Sequence, residues 1–161
     1  MNSPSIALFQ PDIPQNTGTI LRLGACLGLP IEVIEPCGFA LSDRTLRRAG
    51  MDYLDSANLI RHMNFEAFDT QRRNQNRRLI LMTTRAASPY TAFQFAPTDV
   101  IMFGRESAGV PDEVHDCADH RLIIPMQPDQ RSLNLAVSAA MIAGEVLRQL
   151  DLFAKHAPTL A

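Results

Sequence analysis

Cysteine is scarce in this chain. Cys26, Cys37 and Cys117 are odd in number and widely spaced. They fit neither a disulfide framework nor a zinc site, and reduced thiols point to the cytoplasm. Long apolar runs are missing too. No stretch nears the ~20 residues needed to span a bilayer, so no membrane partner is expected. Met1-Asn2-Ser3-Pro4 carries neither a basic segment nor an apolar core, and no signal peptide is expected. Positive charge is not in excess: the net charge is −2 and the pI is near 6.0, unlike the strongly basic footprint of a dedicated nucleic-acid binder. The common catalytic signatures are absent as well. There is no phosphate-loop lysine motif, no Gly-x-Gly-x-x-Gly after the first apolar run and no Gly-x-Ser-x-Gly elbow, which excludes the usual nucleotide and hydrolase sites. His62, His115, His120 and His156 are scattered without ligand spacing, so no metal is expected.

What remains is an ordinary globular composition. Of 161 residues, 46% are hydrophobic and 20% charged, enough for one domain with a real core. The expected domain is 1–161, with a core over about 5–150 and a short tail, 151–161. Apolar runs predict strands at 5–9, 31–34, 57–60, 78–83, 100–103 and 121–124. Helical spacing predicts helices from Asn16 to Gly28, from Ser42 to Ala49, after Asn64 through Arg73, from Pro111 to about Cys117, and from Asn134 to Leu150. The strands read as continuous apolar runs, as in a parallel sheet covered on both faces. The fold class is therefore α/β, doubly wound. The last helix carries Ala136, Ala139, Ala140, Ala143 and Gly144. These small residues suit a core helix and a dimer-interface helix equally.

Polar residues gather where strands end. Val100-Ile101-Met102-Phe103 stops at Gly104 and leads through Arg105, Glu106 and Gly109 to Pro111. In open α/β sheets such strand ends bind ligands. Asn16-Thr17-Gly18 with Arg22, and Ile124-Pro125-Met126 running on to Arg131-Ser132-Leu133-Asn134, have similar character. Each polar residue has a plain structural reading: Asn16, Ser132 and Asn134 as helix caps, Arg22 as the partner of Glu106. Five such residues at the edges of three loops point to one composite site. Two arginine clusters, Arg44 with Arg47 and Arg48, and Arg72, Arg73, Arg77 and Arg78, are each a solvated helix face or a phosphate contact.

These segments resemble the three motifs of the SpoU branch of the SPOUT methyltransferases, in register from about Ile6 to Leu150. Ile34-Glu35-Pro36-x-Gly38-Phe39 and Leu46-Arg47-Arg48-Ala49-Gly50-x-Asp52-Tyr53 resemble the short TrmL (YibK-type) subgroup, which methylates the ribose 2′-oxygen at the wobble nucleotide, cytidine or modified uridine 34, of leucine tRNAs. The chain is minimal, with no accessory RNA-binding domain expected.

The resemblance implies a C-terminal trefoil knot, S-adenosyl-L-methionine as cofactor, tRNA as partner, and a homodimer whose active site is completed across the interface. It assigns donor binding to Met82, Thr83, Gly104, Ile124, Met126, Ser132 and Leu133. The catalytic set is Arg22, Asn16, Glu106, Ser132 and Asn134, with Arg22 at the hydroxyl, held by Asn16 and Glu106. Arg44, Arg47 and Arg48 are the first choice for RNA contact, and the Arg72–Arg78 run is the second. Arg105 stands where relatives often carry Pro, Ser or Asn. Competing readings are a 2′-O-methyltransferase of another tRNA or rRNA position, and a non-catalytic RNA- or nucleotide-binding module of the same fold.

Overall fold

The computed structural model describes residues 3–48 and 57–154. Seven strands form one sheet: β1 (Ser5–Phe9), β2 (Ile31–Ile34), β3 (Leu59–His62), β4 (Leu79–Met82), β5 (Ser88–Pro89), β6 (Val100–Phe103) and β7 (His120–Ile123). Every pairing is parallel, in the order β3-β2-β1-β6-β4-β7-β5. The helices are α1 (Pro14–Leu27), α2 (Asp43–Arg48), α3 (Phe65–Asn74), α4 (Asp112–Cys117) and α5 (Leu135–Gln149).

Side chains alternate across the sheet and meet a helix layer on each side. Ile6 and Leu8 of β1 share a core with Ile20 and Leu21 of α1, Leu46 of α2 and Ile142 of α5. Ala7 and Phe9, one residue out of phase, join Phe68 of α3 and Val114 of α4. The central strands β1 and β6 are buried throughout, which explains why they are apolar apart from Ser5, whose hydroxyl donates to Glu32.

Some boundaries differ from the sequence expectation. Helix α1 starts two residues before Asn16, because Pro14 has a preset φ and no N–H to lose in a first turn. Asn16 is therefore inside the first turn and Ile13 holds the cap position. Strand β3 lies at 59–62 rather than 57–60, where its residues pair with Ile31–Ile34 and His62 Nε2 meets Glu32 Oε2 at 2.8 Å. Strand β5 was not expected. It is two residues long at the edge of the sheet, where a proline lacking its N–H is tolerated. Gly28 ends α1 at φ 71, and Asn64 caps α3 by accepting from Ala67 N–H at 2.8 Å. Ala49, Gly50, Asp52 and Tyr53 of the subgroup-like stretch lie outside the described residues, as does His156.

The Arg72–Arg78 cluster, the second choice for phosphate contact, is half structural. Arg72 and Arg77 are buried. Arg72 bonds Asp69, Asp119 and two backbone carbonyls. Arg77 bonds Glu32 at 2.8 Å and reaches the Ser5 hydroxyl. Arg73 and Arg78 are held by Asp69 and Asp99. A buried cation persists only when paired, so Arg72 and Arg77 are spent on the fold, while the exposed Arg73 and the partly exposed Arg78 are members of ion pairs. The small-residue stripe of α5 resolves similarly. Ala139 and Ala143 are buried in the chain's own core, whereas Val137, Ala140 and Met141 face outward.

Candidate active site

The order β1-β6-β4-β7 sets side by side four strands that are distant in sequence. Their carboxyl ends deliver the start of α1, the loop after Met82, the loop 104–111 and the loop 124–134 around a cleft of about 450 Å³. Ten of the expected site residues line it. Met82, Thr83 and Gly104 come from the β4 and β6 ends, Ile124, Met126, Ser132, Leu133 and Asn134 from the last loop, Asn16 from the start of α1 and Glu106 from the loop after β6.

Loop 104–109 is closed by its own backbone. Arg105 N–H donates to Gly109 O at 3.0 Å and Gly109 N–H returns to Arg105 O at 2.8 Å. Gly109 turns the chain at φ 64, and a Cβ on Gly104 would stand 2.5 Å from Gly109 C. No side chain fits at 104 without opening the loop.

That closure aims Glu106 at α1. Its Oε2 accepts Asp12 N–H at 2.8 Å and its Oε1 accepts Asn16 Nδ2 at 3.2 Å. Asn16 Oδ1 in turn accepts Asn134 Nδ2 at 3.0 Å. Asn134 Oδ1 caps α5, accepting from Ala136 N–H at 2.8 Å and Val137 N–H at 3.3 Å. One directional chain of hydrogen bonds thus runs from the α5 N-terminus through two amides to a carboxylate, tying three loops together. Each amide has a donor at one end and an acceptor at the other, so neither can flip without loss. Asp12 braces the other side: its Oδ2 accepts the backbone N–H of Ser107 at 3.0 Å and also the hydroxyl. Those bonds hold its carboxyl below the ordinary range. The Ser132 hydroxyl lines the cleft and makes no hydrogen bond among the described residues.

Arg22 is the one expected catalytic residue outside the cleft. It is exposed on α1, and the hydrogen bonds that Glu106 accepts come from Asp12 and Asn16. Arg105 belongs to the wall. It donates to Gln10 Oε1 and lies over the Phe9 ring, 5.9 Å from its centroid. Arg44, Arg47 and Arg48 are exposed on α2, whose buried Leu46 anchors it. Cys37 is no thiolate nucleophile, since burial and the nearby Glu35 charge push its thiol up to about 11. Asp12 and Ile13 escaped the sequence reading. The available signal was a carboxylate between Pro11 and Pro14 directly after a strand, a segment too constrained to be an idle linker.

Residues 3–144 match the model of the SpoU rRNA Methylase family. The chain belongs to this family. It is 57% identical over 150 residues to a tRNA (cytidine(34)-2′-O)-methyltransferase of Beijerinckia indica, covering 93% of this chain and 94% of that one. The Escherichia coli K12 enzyme of the same name is 40% identical, with 91% and 93% covered. A solved structure described as giving insights into the 2-OH methylation of C/U34 on tRNA superposes with a TM-score of 0.86 at 39% identity, over 92% of this chain and 97% of that one. An AdoMet-bound rRNA methyltransferase from Sinorhizobium meliloti gives 0.82 at 26% identity, over 92% and 57%. Of the three motif segments that resemble this family, those at 103–111 and 124–135 wall the cleft, and the first contributes Asn16 from the first turn of α1.

Proposed function

We propose that the protein transfers the methyl group of S-adenosylmethionine to the ribose 2′-oxygen of tRNA nucleotide 34, cytidine or modified uridine, in leucine tRNAs. The observation that carries this reading is the 57% identity to a tRNA (cytidine(34)-2′-O)-methyltransferase over nearly the whole of both chains. The shared motifs converge on one cleft in support.

The cleft fits the donor. Its size lies within the ~300–1,000 Å³ of small-molecule sites. Met82, Ile124, Met126 and Leu133 offer apolar walls to an adenosine body, and Gly104, Thr83 and Ser132 offer backbone and hydroxyl groups to its polar edges. When bound, the donor supplies a methyl group on a sulfonium, already activated towards attack.

The protein's task is then alignment and proton removal. Alignment alone can supply up to ~7–11 kcal/mol in favourable cases. Asn16, Glu106 and Asn134 hold the loops rigid and present a fixed carboxylate. Arg22 orients the 2′-hydroxyl and stabilises the oxyanion as it develops; a guanidinium holds its proton too tightly to act as a general base. Because Arg22 stands outside its own cleft, it serves the cleft of a second protomer. The assembly is a homodimer built on the outer faces of α1 and α5, which pack together. Gln15, Thr19, Arg22 and Cys26 line one face and Val137, Ala140 and Met141 the other. Exposed apolar side chains in such a stripe, with Val137 at 50% and Met141 at 39% exposure, fit an interface core.

Three further readings complete the proposal. The chain is one domain in the cytoplasm. Its end threads into a trefoil knot, a reading supported by the position of β7 between β4 and β5. Arg44, Arg47 and Arg48 contact RNA phosphates, and two copies in a dimer offset the mildly acidic balance.

Incubation with radiolabelled donor and bulk tRNA tests the function. Methyl groups at the 2′-oxygen of nucleotide 34 are expected. Label at another position favours a different tRNA site, and donor binding with no transfer favours a non-catalytic module. Replacing the target ribose by deoxyribose should abolish transfer, since the 2′-hydroxyl is itself the acceptor.

A further inference from the structure

A ribose 2′-hydroxyl is never presented alone. The phosphodiester on the neighbouring 3′-oxygen travels with it. Any cleft that brings the 2′-oxygen to a methyl donor therefore brings an anion to its own mouth. Here that anion meets a wall holding the Glu106 carboxylate, and a desolvated anion beside a carboxylate needs a cation.

Most arginines are committed elsewhere. Among the described residues, Arg44, Arg48 and Arg131 are the arginines whose side chains make no hydrogen bond, ion pair or ring contact. Arg105 lines the cleft but is engaged by Gln10 and Phe9. Arg131 is exposed and directly precedes Ser132 of the cleft wall. The loop that carries it is pinned at both ends, by Ile124 and Met126 in the wall and by Asn134 on Asn16. Between them Gln130 N–H closes a turn on Gln127 O at 3.3 Å, and Asp129 bends the chain at φ 67. Asp129 is the nearest carboxylate in sequence, and it does not pair with Arg131. A guanidinium on a tethered loop at the rim is a two-pronged donor suited to phosphate.

We propose that Arg131 is a substrate-binding residue that takes the phosphodiester on the 3′ side of the target ribose and so helps fix the 2′-oxygen towards the donor. The inference rests on the methyltransferase reading above. It adds a cation to the residues assigned to donor binding and catalysis.

The test is single-turnover methyl transfer to tRNA, alongside calorimetric binding of S-adenosylhomocysteine. Arg131→Ala should leave donor binding unchanged and slow transfer at subsaturating tRNA by about tenfold to a hundredfold, the scale of a charge-assisted hydrogen bond. Arg131→Lys should recover part of the loss, as a point charge without the fork. The deciding substrate is a tRNA assembled by ligation with one uncharged methylphosphonate 3′ of nucleotide 34. On wild-type protein it should cost about as much as Arg131→Ala does on normal RNA. On Arg131→Ala it should cost nothing more. Additive losses, a wild-type rate for Arg131→Ala, or loss of donor binding would each overturn the assignment. A wild-type protein that binds donor and methylates no tRNA would sink the underlying reading instead, and that arm is read without any variant.

Discussion

Asn16 is the residue on which the cleft turns. It takes Asn134 Nδ2 on its oxygen and gives its own Nδ2 to Glu106. Asn16→Ala removes both bonds at once and leaves a donor and a carboxylate oxygen unpaired. We expect a stability loss of about 1–3 kcal/mol and a larger loss of methyl transfer, read by thermal unfolding and single-turnover rates. Gly104 is constrained differently. A side chain there collides first with Gly109 backbone, so Gly104→Val should abolish S-adenosylhomocysteine binding by opening the loop before any ligand is met. Calorimetry showing native affinity would contradict this. The sequence made Asn16, Glu106, Ser132 and Asn134 legible as one set, because each sits at a strand or helix end where a polar residue is conspicuous. It did not make their pairing legible. Helical spacing says which residues share a face, not which carboxylate lies across the gap, and so Arg22 was matched to Glu106, whose accepted hydrogen bonds come from Asp12 and Asn16.

Elements were read best where the local chemistry is decisive. Asn64 before α3, Gly28 after α1 and Asn134 before α5 mark their helix ends without reference to the rest of the fold. The two-residue β5 has no periodicity to read, and the Arg72–Arg78 run looked like a basic surface because the burial of Arg72 and Arg77 is a property of the sheet face they fold against. That face carries a testable charge cluster. Burial alone would raise the Glu32 carboxyl, but hydrogen bonds from His62 and Ser5 and the Arg77 charge outweigh it and hold it below its ordinary 4.5. A carboxyl depressed on folding stabilises the protein above its unfolded pKa, and the benefit fades as pH falls through the folded value. Stability should therefore drop below about pH 4.5, and Glu32→Gln should flatten that drop in denaturation curves. Glu32→Ala, which strands Arg77, should cost about 3–5 kcal/mol at neutral pH. On α2 the exposed Arg44 and Arg48 predict a different signature. Replacing both by Ala should lower the slope of log K for tRNA against log salt by roughly 0.7–0.9 per lost phosphate contact, with donor binding intact. An unchanged slope would move the RNA surface off this helix.

At the scale of the molecule, the strand order was hidden in the sequence. All the central strands are similar apolar runs, and nothing local says that β6 inserts beside β1 or that β7 divides β4 from β5. Yet that order makes the cleft, and it also leaves Arg22 on the outer face of α1, outside the cleft whose other polar residues it was expected to join. A two-fold dimer resolves the discrepancy if each Arg22 works in the partner's cleft, and subunit mixing can decide it. Arg22→Ala and Asn134→Ala proteins should each be inactive alone. In a mixed dimer the Arg22→Ala chain keeps its own Asn134 and receives Arg22 from its neighbour, so one cleft of the two is intact. Statistical exchange makes half of the dimers mixed, and about a quarter of wild-type activity should return. If Arg22 acts within its own chain, both clefts of the mixed dimer are broken and nothing returns. Light scattering at the same concentration should report twice the chain mass of 17.8 kDa, and a monomer that still methylates tRNA would refute the shared cleft outright.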